Sequence, residues 1–148
     1  MLYKRILVAV DGSKTSLRAF DEALKLAKAS HAKLCILHII ERLPDHVAFA
    51  IDVNKYQLLA NKNAKKLLDK FKKMATKNKV PVETKLIEII NYKESIAKKI
   101  IQSTKSWKAN LLVIGTHGFT GFSRLMLGSV AEVILKSATT PVLIVRSE

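Results

Sequence analysis

Short apolar runs alternate with helix-patterned stretches along the whole chain, and that alternation leaves few folds open. Residues 3–10 form a run rich in Ile and Val, the pattern of a strand buried on both faces. Ser13 can cap a following helix that runs to Ser30, with Leu17, Phe20, Ala23, Leu24 and Ala27 on one side. Residues 33–40 are a second run, apolar after Lys33 except for His38. Residues 41–53 form the longest connection and include Pro44. A long helix is predicted over 54–78, where Tyr56, Ala60, Ala64, Leu67, Phe71 and Met74 recur at helical spacing. Pro81 introduces a third strand over 82–90, whose partial alternation suits an edge position. A third helix is expected over 92–106, with Ile96, Ile100 and Ile101 inward. A fourth strand follows over 110–114, a glycine-containing loop over 115–128, a short helix over 129–137, and a last strand over 141–145.

Strands that alternate with helices in this way call for a parallel sheet covered on both faces, an α/β architecture. The 148 residues suit one domain, residues 1–148, and leave no room for a second sizeable core. With 49% hydrophobic and 26% charged residues the composition is that of a globular chain. Apolar runs fall short of the roughly 20 residues that span a bilayer. The apolar start is short and leads straight into Asp11, which does not fit a secretory signal. The lone Cys35 excludes an intrachain disulfide and sits in mid-strand, where inert packing is expected. These features together give the expectation of a cytoplasmic protein.

Ligands of such sheets bind beyond the carboxyl ends of the strands, where the winding direction reverses. The residues there are distinctive. Gly115-Thr116-His117-Gly118 is followed, after nine residues, by Gly128-Ser129, between a strand and a helix. Gly115 and Gly118 can adopt positive φ and let backbone approach a ligand closely. Gly128 and Ser129 open a helix whose first amides lack partners within it, so Ser129 and Val130 are candidate phosphate donors. Ordinary turn chemistry and a helix cap would explain the same glycines. Asp11 ends the first strand, where it can hold a ribose hydroxyl or cap the first helix with Ser13. The lysine of a G-x-x-x-x-G-K-[ST] loop and the G-x-G-x-x-G dinucleotide pattern are both missing.

The opening RILVAVDGS, the second strand ending LHII, and GTHG, LGSVAEVIL and PVLIVR together resemble the universal stress protein family. The resemblance runs in order over the whole chain. The spacing of Gly115, Gly118 and Gly128-Ser129 is similar to that of the family's ATP-binding branch. The resemblance implies a five-stranded doubly wound parallel sheet of order 3-2-1-4-5, which sets the ends of the first and fourth strands beside one cleft. It also implies a ligand, ATP or AMP, with Mg²⁺ or Mn²⁺ held by the phosphates and no metal ligand from protein side chains.

By position, the resemblance gives Asp11 to the ribose and the Ile39 backbone to the adenine edge. Ala9, Val10 and Ile114 become pocket lining. Gly115, Gly118, Gly128, Ser129 and Val130 become the phosphate cradle. Thr116, His117 and Arg124 are further candidates, Arg124 as a partner for a terminal phosphate and His117 equally as a polar loop residue. The resemblance also implies a homodimer joined through the last strand, from Pro141 to Arg146, with its twofold axis near Leu143.

Three functions fit these residues. The first is a regulatory adenine-nucleotide-binding protein of the stress response. The second is a slow ATPase or phosphotransferase, for which the residues supply no phosphate-binding lysine, no acidic pair and no catalytic set. The third rests on charge: 26 Lys and Arg against 12 Asp and Glu give a formal net charge of +14. Lys55, Lys62, Lys65, Lys66, Lys70, Lys72, Lys73, Lys77 and Lys79 gather on the long helix and the turn after it. They suit a solvated face, or a surface for nucleic acid or an anionic membrane. His38 suits a hydrogen-bonded structural role, and Trp107 an anchor for the third helix at the sheet edge.

Overall fold

The computed structural model describes residues 2–42, 52–90, 93–117 and 127–146. Five strands are described: β1 (Arg5–Ala9), β2 (Lys33–Glu41), β3 (Val82–Ile89), β4 (Leu111–Gly115) and β5 (Val142–Val145). Four helices are described between them: α1 (Lys14–Ser30), α2 (Val53–Lys77), α3 (Ile96–Ser106) and α4 (Ser129–Ser137). The sheet is parallel throughout and has the order β3-β2-β1-β4-β5. The expected α/β architecture and strand order are therefore found, and β3 is an edge strand as its alternation suggested.

Alternation along β1 distributes the core between two layers. Ile6, Val8 and Val10 pack with α1 and α2, where the Phe20 and Phe71 ring centroids are 4.5 Å apart. Leu7 faces the other side with Cys35, Leu37, Leu112 and Ile114, under Ala97 and Ile100 of α3 and Ala131 and Ile134 of α4. Central strands buried on both faces explain their near-continuous apolar sequence. Burial pushes the Cys35 thiol up to about 12, which keeps it protonated and inert.

The helix ends follow capping chemistry. Ser13, Asp52 and Ser95 cap α1, α2 and α3 by accepting the amides of Ser16, Lys55 and Lys98. Ser95 starts α3 at Ile96, so the helix expected over 92–106 begins later. The same three helices end on a left-handed residue: His31 at φ 53°, Lys79 at 58° and Lys108 at 55°. In each case the next residue's amide reaches back into the helix: Ala32 to Ala27, Val80 to Ala75 and Ala109 to Thr104. This is the Schellman arrangement, made here without glycine.

At the amino ends of the strands, the Asn110 side-chain carbonyl accepts the amides of Lys4 and Arg5. Trp107, 5% exposed, donates its indole N–H to Glu83 of β3, and the Arg5 guanidinium lies 4.1 Å from its ring centroid. Trp107 thus ties α3 to the sheet edge. The periodicity of α2 misplaces one residue. Tyr56 is 44% exposed, and the buried face consists of Ala64, Leu68, Phe71 and Ala75. No helix among the described residues is long and apolar enough to cross a membrane.

Candidate functional site

The strand order places the reversal of winding between β1 and β4. The two strands pair only as far as Val8 and Val113, so a crevice opens past their carboxyl ends. A cleft of about 390 Å³ lies there. Ala9, Val10, Asp11, Ile39, Ile114, Gly115, Thr116, His117, Gly128, Ser129 and Val130 all line it. Every candidate among the described residues is thereby brought to one cleft. Gly118 and Arg124 lie outside the described residues.

The carboxylate end is built by a tight turn. Gly12 has φ 84°, a conformation that favours glycine, and it turns the chain between β1 and α1. Asp11 Oδ1 accepts the Ser13 amide at 2.9 Å. Ser16 Oγ accepts the amides of Asp11 and Gly12, each at 3.2 Å. Asp11 was expected to cap α1 with Ser13; Ser13 alone is the cap, and Asp11 uses one carboxylate oxygen on the Ser13 amide in the turn before it. Among the described residues no hydrogen bond reaches Oδ2, which is left as an acceptor for a ligand hydroxyl.

The apolar end is bounded by β2. Val10 N–H donates to the Leu37 carbonyl at 2.9 Å, and the Val10 carbonyl meets His38 Nδ1 at 2.7 Å. Val10 thus has both backbone groups engaged and its side chain in the core, and it serves the cleft as wall. His38 is hydrogen-bonded, as expected. Pairing of β1 with β2 ends at Ala9 and Leu37. Two residues on, Ile39 has the same backbone orientation toward the β1 side and no β1 residue opposite.

The other end is the start of α4, and it differs from the other three helix starts. Its N-cap is Gly128, and no side chain accepts from its first turn. Glu132 makes the first intrahelical bond, back to the Gly128 carbonyl at 3.0 Å. The amides of Ser129, Val130 and Ala131 have no partner among the described residues, and all three residues line the cleft. Gly128 N–H is used by the Thr116 carbonyl at 2.7 Å, and Thr116 N–H by the Val145 carbonyl at 2.9 Å. Thr116 Oγ1 lies 3.1 Å from His117 Nδ1.

The glycines act differently from expectation. Among the described glycines only Gly12 has positive φ, so Gly115 does not use the left-handed conformation open to it. A Cβ on Gly115 would lie 2.7 Å from Thr15 Cγ2, so close approach of α1 demands this glycine. A Cβ on Gly128 would lie 3.1 Å from the Thr116 carbonyl oxygen and 3.2 Å from His117 Cα. Gly128 lets Thr116 and His117 pack against the helix start without a side chain between them.

Ser16, Leu37, Ile96 and Ala131 also line the cleft and were not among the candidates. Leu37 was accessible from strand alternation, two residues before Ile39. Ser16 lies three residues after the capping Ser13, a local pattern with no bearing on a ligand until the turn is folded.

The parallel order β3-β2-β1-β4-β5, with an open crevice at the switch point beside a strand-end carboxylate and a helix start that no side chain caps, defines a doubly wound α/β domain with a candidate ligand site there. The universal stress protein family profile matches residues 2–146, and the chain belongs to that family. A universal stress protein of Methanocaldococcus jannaschii, MJ0531, is 34% identical over 148 residues, covering 98% of this chain and 83% of its own. A universal stress protein family structure from Burkholderia pseudomallei is 29% identical, with TM-score 0.80 and coverage of 99% and 98%. A universal stress protein solved in complex with cAMP is 26% identical, with TM-score 0.73 and coverage of 99% and 98%.

Proposed function

We propose that the cleft binds an adenine nucleotide, with ATP or AMP as ligand, and that occupancy regulates a partner contact in the stress response. The observation that carries this reading is the uncapped start of α4. Three amides without a partner among the described residues lie at a cleft that also holds an Asp11 oxygen no described residue engages. Anionic groups are favoured at such a helix start by its free N–H groups and its dipole. Asp11 then accepts a ribose hydroxyl. The unpaired backbone of Ile39 meets the adenine edge, with Ala9 and Ile114 against the base or sugar. The relative solved with cAMP supports an adenine ligand for the fold.

Gly115, Gly118, Gly128, Ser129 and Val130 form the phosphate cradle in this reading, with Thr116, His117 and Arg124 beside it. Among the described residues no group of three His, Cys, Asp or Glu side chains gathers to hold a metal. In this reading Mg²⁺ or Mn²⁺ would be carried by the phosphates. The chain acts as one cytoplasmic domain, paired into a homodimer along β5, an edge strand beside β4.

Calorimetry with ATP and AMP tests the site through Ser129→Pro. Proline is tolerated at the first helical position, and Gly128 already has φ −67° and ψ 160°, which suit a residue before proline. The substitution removes the amide donor together with the Ser129 hydroxyl and leaves the helix. We expect affinity to fall about 10- to 100-fold, the value of one hydrogen bond to a charged group. Unchanged affinity in a folded variant would place the phosphates elsewhere.

A further inference from the structure

The outward face of α2 takes no part in the cleft, and two features coincide on it. Leu58 is 70% exposed and Leu59 57%, with Tyr56 beside them at 44%. With Lys55 and Lys62 they line an open trough of about 420 Å³ at the start of the helix. The same face continues through Lys66, Lys70, Lys73 and Lys77, all exposed. Asp69 is the only acid within α2. At 1.5 Å per residue the 25-residue helix is roughly 37 Å long, so the surface is apolar at one end and cationic along the rest.

Large apolar side chains gathered in water mark a contact surface, and the lysines set the sign of what it meets. A second copy of this face would set lysines against lysines. Nucleic acid would match the lysines and leave the leucines without a partner. An anionic bilayer offers headgroup charge and an apolar interior in one surface. We propose that the outward face of α2 lies on an anionic lipid surface, with Leu58 and Leu59 below the headgroups and the lysines among them.

Co-sedimentation of the full chain with vesicles tests this, using phosphatidylcholine alone against an equimolar mixture with phosphatidylglycerol. Binding is expected to the mixed vesicles and not to the neutral ones. Leu58→Ser combined with Leu59→Ser should lower the affinity about tenfold or more, from lost apolar insertion. Lys62→Gln and Lys66→Gln should each lower it about fivefold. These side chains are exposed, so circular dichroism of the variants should match the parent. Leu59→Trp should give a blue-shifted emission with mixed vesicles only. Three results would overturn the proposal. One is equal binding of mixed vesicles by the leucine variant, which would make the contact purely ionic. Another is failure to bind vesicles alongside duplex DNA binding that ignores the leucines. The last is failure to bind vesicles with a subunit count that changes on leucine substitution.

Discussion

Asp11 Oδ1 accepts the backbone amide of Ser13 at 2.9 Å, so the acid at the cleft is also the residue that shapes the turn into α1. The two oxygens divide the work, and a single substitution can separate them. Asn at this position keeps a side-chain oxygen for the Ser13 amide and presents an amide group in place of the other oxygen. Asp11→Asn should leave the melting temperature nearly unchanged and weaken nucleotide binding about tenfold, as expected for loss of a hydrogen bond to a charged acceptor. Calorimetry beside thermal melting checks both halves. A large loss of stability would mean that the turn needs the charge itself.

Gly115 and Thr15 make a second such pair. The added methyl of Gly115→Ala would meet Thr15 Cγ2 at 2.7 Å, and Thr15 is buried and stiff at its branched Cβ. We expect a loss of about 1–3 kcal/mol by urea unfolding, the usual range for overpacking. Combining it with Thr15→Ser removes the offending methyl and should recover part of the loss. The two changes should therefore be non-additive. Strict additivity would show that the two sites do not touch.

Lys79 and Lys108 hold left-handed backbone at the ends of α2 and α3. That conformation costs a side-chain-bearing residue roughly 1–2 kcal/mol, and glycine relieves it at some cost in unfolded-state entropy. Lys79→Gly and Lys108→Gly should each stabilise the chain by about 0.5–1 kcal/mol, read as a higher urea midpoint with an unchanged slope. A fall in midpoint would mean that the lost lysine contacts outweigh the relief.

Glu83 contributes a pH dependence to the stability. Its hydrogen bond with Lys33 holds the carboxyl below its ordinary value of 4.5, with the Trp107 indole adding in the same direction. A depressed carboxylate stabilises the fold above that value, and the contribution is lost as the pH falls through the range beneath it. Glu83→Gln should therefore melt below the parent near neutral pH. The gap should close once the pH has fallen below the depressed range of Glu83, where both carry a neutral side chain. A gap constant with pH would assign the effect to packing alone.

Much of this was legible in the residues. The alternation of apolar runs with helical spacing fixes the order of elements, because strand and helix periods are local properties of the chain. The spacing of Gly115, Gly128 and Ser129 likewise marks a helix start suited to an anion, and Asp11 marks a strand end. What these glycines are for was a different matter. Whether a Cβ at 115 would strike Thr15, or one at 128 would strike Thr116 and His117, depends on segments far apart in sequence. Ser16 gained its place at the turn, and Tyr56, Leu58 and Leu59 their exposure, in the same way. Local pattern sets which elements form. Packing between distant elements sets which atoms are left free to bind, and only the folded chain decides that.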